Sequence, residues 1–88
     1  MKRNYRNAFN ALEKIGAPLI DRGGDEFFIS AENNIETVWA DYYAMGDGYT
    51  CGGQLDDFGV NHKINAILDK YGLFAEWQNP GCLAVCEA

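Results

Sequence analysis

Three cysteines and one histidine are the side chains in this 88-residue sequence whose types suit metal binding or nucleophilic catalysis: Cys51, Cys82, Cys86 and His62. A Cys₃His set is a recognised zinc donor combination, but the close C-x₂₋₄-C pair that usually seeds such a site is missing. Cys82 and Cys86 fall four apart in CLAVCE, an apolar run with strand character. On a strand they share a face yet lie roughly 13 Å apart, too far for one metal or for a disulfide between them. The odd cysteine count offers no disulfide framework, so free thiols and a reducing, cytoplasmic compartment are expected. Cys51 and His62 are the remaining candidate nucleophile and base, and the glycines around Cys51 would let a substrate backbone approach. His62 falls on the polar side of a helical stripe, however, where a solvated surface histidine is the simpler expectation.

Carboxylates are the other chemistry on offer. Asp47, Asp56 and Asp57 flank or lie within a glycine-rich stretch, Gly46–Asp57, which also contains Tyr49. Loops of this length are uncommon in small domains and are often functional. The acid spacing does not match a calcium loop, and paired acids for glycoside cleavage would need a cleft that so short a chain hardly provides. No phosphate-binding glycine loop, dinucleotide fingerprint, serine elbow or zinc-protease helix occurs. Neither a metal nor a cofactor is expected, and the chain does not read as an enzyme.

Charge points instead to binding. The net charge is −6, although Lys2, Arg3 and Arg6 place three positive charges in the first six residues. Between Asp21 and Asp57 nine acids face Arg22 alone. Such a field repels nucleic-acid and membrane phosphates and attracts basic proteins, although acidity also serves plain solubility. The basic N-terminus has no apolar segment behind it, so no secretory signal is expected, and no apolar run approaches the roughly 20 residues of a membrane helix.

The elements that must position these residues follow from periodicity. Tyr5, Ala8, Phe9, Leu12 and Ile15 form one stripe of a helix over residues 4–15, with Gly16 and Pro18 ending it. Val60, Ile64, Ile67, Leu68 and Tyr71 give a second helix, for which Asp56 or Asp57 is the expected cap. Residues 26–31, 35–45, 73–78 and 82–87 read as strands, with turns at Glu32–Asn34 and Asn79–Gly81. The order helix, strand, strand, helix, strand, strand implies a single α+β domain: a two-layer sandwich with both helices on one face of a four-stranded, mostly antiparallel sheet. Matching helix ends, Leu12–Gly16 and Leu68–Gly72, raise a duplicated unit, but charged residues before a terminal glycine are common chemistry.

Within that frame Ile35–Met45, IETVWADYYAM, reads as the central strand because it is richest in β-branched and aromatic residues. Alternation gathers Trp39, Asp41 and Tyr43 on one face, beside the acids of the glycine loop. The expected binding surface is therefore Trp39, Asp41, Tyr43, Asp47, Tyr49, Asp56 and Asp57, docking on a protein with a basic surface. The most concrete version is an inhibitor of a nucleic-acid-handling protein, of the phage or mobile-element anti-defence type (anti-CRISPR or anti-restriction), with carboxylates standing in for phosphates. That similarity is one of type, carried by no motif. Two alternatives come from other classes: a small-ligand or metal-binding regulatory or sequestering domain using the Gly46–Asp57 loop, and a small enzyme using Cys51 and His62.

Overall fold

The structure is a computed structural model, and it describes residues 2–21, 23–32, 37–44, 53–56 and 58–88. Helix α1 spans Arg3–Lys14 and helix α2 spans His62–Lys70. Strands β1 (Leu19–Asp21), β2 (Phe27–Ser30), β3 (Leu73–Asn79) and β4 (Cys82–Glu87) form one antiparallel sheet of order β1-β2-β4-β3. The α+β sandwich expected from the sequence is present, with its order of helix, strand, strand, helix, strand, strand.

Each helix is built as its stripe dictates. Tyr5, Ala8 and Leu12 of α1 and Ile64 and Leu68 of α2 are buried against Phe27, Ile29, Leu73, Leu83 and Val85 of the sheet. Phe27 receives Phe9 and Tyr5 edge-on, at 5.2 and 6.4 Å between ring centroids. At the end of α1, Gly16 adopts φ +86°, donating its N–H to Glu13 while Ala17 donates to Leu12. These two bonds satisfy carbonyls the helix leaves open, and the positive φ suits a residue without Cβ.

Helix α2 begins later than its apolar stripe suggests. Its cap is Asn61, not Asp56 or Asp57: the Asn61 side chain accepts from the Lys63 N–H (2.8 Å) and donates to the Val38 carbonyl (2.9 Å). Val60 keeps the helical spacing to Ile64 but is extended, bridging to Ala40. Buried Asn61 thus ties the helix start to the 37–40 segment, with both halves of its amide bonded.

The central strand expected at Ile35–Met45 is the main correction. Asn33–Glu36 and Met45 lie outside the described residues; within residues 37–44, only Ala40 makes a β-bridge, and Tyr42–Ala44 forms a 3₁₀ turn. The Asp41 carboxylate accepts the Tyr43 N–H (3.0 Å) and fastens that turn, so the strand alternation stops there. The neighbouring place in the sheet is taken by Leu19–Asp21, which pairs with β2 and supplies the strand that preserves the element order. The hairpin expected at Glu32–Asn34 lies mostly outside the described residues; the strands that pair with β2 are β1 and β4.

Candidate binding site

The expected site residues separate. Trp39 is 6 % exposed and packs in the core with Ala40 and Val60, so it is not available as a surface anchor. The physical reason is the lost alternation: the segment plugs the sandwich instead of extending its sheet. Tyr43 is 78 % exposed. Asp41 is half-buried at the start of the 3₁₀ turn. Asp47, Tyr49 and Asp57, like Cys51, lie outside the described residues, as does most of the Gly46–Asp57 loop.

Asp56 is an internal brace. One carboxylate oxygen accepts the N–H groups of Phe58 (2.8 Å) and Val60 (3.0 Å), and the other accepts from the Asn65 side chain. With Asp56 N–H donating to Val60 O and Gly59 N–H to Asp56 O, these bonds shape the turn before α2. The turn is then pinned to the sheet, because the Trp77 indole N–H donates to the Phe58 carbonyl at 2.7 Å. Tyr42 meets the Trp77 ring edge-on at 5.4 Å and meets Tyr43 at 5.6 Å.

Around this junction lies a groove of about 510 Å³, lined by apolar Phe58, Val60, Phe74 and Trp77 with Asp56 and Glu76 among its polar groups. Phe58 is 66 % and Phe74 43 % exposed. A second cavity of about 360 Å³ shares Asn65 and Phe74 with it and continues past Leu73 to Asp69. Together they form a trench between α2 and the outer edge of β3. Apolar walls with a few acids suit an apolar segment carrying positive charge.

Sequence reasoning missed Phe58, Phe74, Glu76 and Trp77. Phe58 offered the clearest signal: it precedes α2 outside the apolar stripe, so the core did not claim it. Phe74 and Glu76 alternate on β3 with buried Leu73 and half-buried Ala75 and Trp77, which a strand-face count could have directed outward.

The back of the sheet carries Cys82 and Cys86, both half-buried thiols. Burial first, then the nearby acids Glu76 and Glu26, push the Cys86 thiol up from its ordinary value and hold it neutral at pH 7. His62 is exposed at the first position of α2. Among the described residues no three His, Cys, Asp or Glu side chains cluster as a metal site, and no helix is long and apolar enough to cross a membrane. Comparison with known protein families, with characterised proteins and with solved structures gives no match for this chain.

Proposed function

We propose that this chain is a non-catalytic protein-binding module that docks on a basic partner through the aromatic and acidic rim of the β3 trench. The observation that carries the proposal is the trench in which Phe58, Phe74 and Trp77 lie with Asp56, Asp69 and Glu76, adjoined by exposed Tyr43 through its contact with Tyr42 and by Asp41 through its bond to Gly59. Aromatic side chains contribute large contact area at small entropic cost, and acidic rims speed encounter with a cationic surface. A net charge of −6 favours protein over nucleic acid or anionic membrane as the partner. The narrower version is inhibition of a nucleic-acid-handling protein in a cytoplasmic setting, of the anti-CRISPR or anti-restriction type.

Affinity capture from a host lysate, followed by surface plasmon resonance at two salt concentrations, tests the proposal. Expected is a basic partner whose association slows as salt rises and whose dissociation quickens on Phe58→Ser or Tyr43→Ala. Binding indifferent to salt and to both substitutions would overturn it. Competition by duplex DNA for the captured partner separates the narrower version from general protein binding.

A further inference from the structure

The hydrogen-bond parity of the sheet identifies what the trench can recognise. Ala88 donates its N–H to the Gly72 carbonyl (2.9 Å), which makes Gly72 and Ala88 a hydrogen-bonded pair continuing the β3–β4 register. In an antiparallel ladder such pairs alternate with non-bonded ones. Phe74 and Glu76 therefore turn their backbone groups toward β4, while Leu73, Ala75 and Trp77 direct theirs outward. The opposite side of β4 agrees: Ala31 donates to Gly81 O (3.0 Å), which assigns Gly81, Leu83 and Val85 to the β2 side. The outward groups of Leu73, Ala75 and Trp77 run along the trench.

Edge strands that must stay unpaired are commonly short, bulged, or guarded by Lys or Pro. The opposite edge fits that description, since β1 has three residues, follows Pro18 and ends in Asp21. Strand β3 has seven residues, LFAEWQN, with neither Lys nor Pro, and its register shift lies beyond Trp77. Its flanks are anionic: Asp56, Glu76 and Asp69 border the trench. A second copy of the chain would bring those acids against their own kind, on top of a net charge of −6 for each molecule.

Resting on the docking reading above, we infer that the partner enters as an extended segment that adds a strand to the outer edge of β3, with apolar and basic residues alternating. Its backbone bonds to the outward N–H and C=O groups centred on Ala75. Apolar side chains sit on the side of Phe58, Val60 and the Trp77 ring, and Lys or Arg side chains alternate on the side of Glu76. Main-chain bonds then supply affinity and the alternating side chains supply selection, as in strand addition generally.

Synthetic peptides test the inference without the natural partner. The probe is acetyl-Lys-Val-Lys-Val-Lys-Val-Lys-amide; its controls are a block-ordered peptide of the same composition and two forms N-methylated at the valines or at the lysines. Titration is followed by the backbone amide resonances of the ¹⁵N-labelled chain. Expected are shifts centred on Leu73, Ala75 and Trp77, weaker binding of the block peptide, and a loss of about tenfold or more for one N-methylated form alone, since a strand offers alternate N–H groups to its neighbour. Ala75→Pro removes one outward N–H, spares the β4 ladder, and should weaken the alternating peptide similarly. The N-methylated arms need no variant, so the test survives if Ala75→Pro fails to fold.

Absence of binding at millimolar peptide, equal binding of both N-methylated forms, or binding of the block peptide as tight as the alternating one would overturn strand addition. The docking proposal would then stand or fall separately, on salt-dependent capture of a basic partner. A dimer that dissociates on Ala75→Pro would assign the edge to a second copy and likewise overturn the inference.

Discussion

Asp41 and Gly59 face one another so closely that their backbones act as a single joint. Asp41 N–H donates to the Gly59 carbonyl at 2.8 Å, while the Asp41 carbonyl oxygen lies against the Gly59 Cα, where a Cβ would collide with it. Gly59 also holds φ +80°, a region costly for residues with a side chain. The joint aligns the 3₁₀ turn bearing Tyr42 and Tyr43 with the turn bearing Phe58, and Trp77 spans both.

Gly59→Ala should therefore destabilise the chain by about 2–4 kcal/mol, combining backbone strain with displacement of the 37–41 segment. Urea titration gives the value, and Gly53→Ala is a useful companion. Gly53 also has positive φ, but open space surrounds the Cβ position, so it should lose only the conformational part. Equal losses at the two positions would show that the Asp41 contact contributes nothing.

Leu68→Ala should cost about 2–5 kcal/mol, because Leu68 is fully buried beneath α2. Lys63→Ala, on the exposed face of the same helix, should leave the denaturant midpoint nearly unmoved. Coincident midpoints would contradict the orientation of α2.

These two comparisons also mark how far the sequence could be read. The stripes of α1 and α2 and the strands β3 and β4 were legible because local periodicity and long-range burial agree there. Val60 misled because a residue four before Ile64 fits a helix whether or not its backbone is helical. Ile35–Met45 misled for a deeper reason: β-branched and aromatic residues fit any buried extended segment, and no local signal says which segment finds a partner strand. Leu19–Asp21, short and less apolar, takes that place through pairing with β2, a long-range choice. The same error displaced the site. Trp39, chosen by alternation, is core, whereas Tyr43 stays exposed and Trp77 forms the junction from another strand.

On the alkaline side the sign of the pH dependence follows from Cys86 and Tyr5. Burial is the first cause that raises both above their ordinary values, with nearby acids adding to it. Their neutral forms are thus favoured in the folded chain, so this stability is complete below the unfolded pKa values and is lost as pH rises through the folded ones. Thermal melts should show Tm falling above about pH 9, the onset set by the ordinary thiol value. Cys86→Ala should flatten the first part of that decline. Iodoacetamide should also alkylate Cys86 more slowly at pH 8 than it alkylates an unstructured cysteine peptide, since the thiolate is the reactive form.

Trp77→Phe isolates the bond that connects sheet and turn. Phenylalanine retains an aromatic ring for Tyr42 but cannot donate to the Phe58 carbonyl, which Trp77 reaches at 2.7 Å. The direct cost should be modest, about 0.5–1.5 kcal/mol, because the Phe58 carbonyl is near enough to solvent to recruit water. Its larger effect should be on the trench. Without the indole bond the turn holding Phe58 is no longer tied to β3, and amide exchange at Phe58 and Val60 should speed up by more than it does at Leu83 in the central strand β4. If exchange rises uniformly across the sheet instead, the bond contributes global stability alone, and the aromatic wall of the trench is held by Tyr42 packing and the Asp56 brace without it.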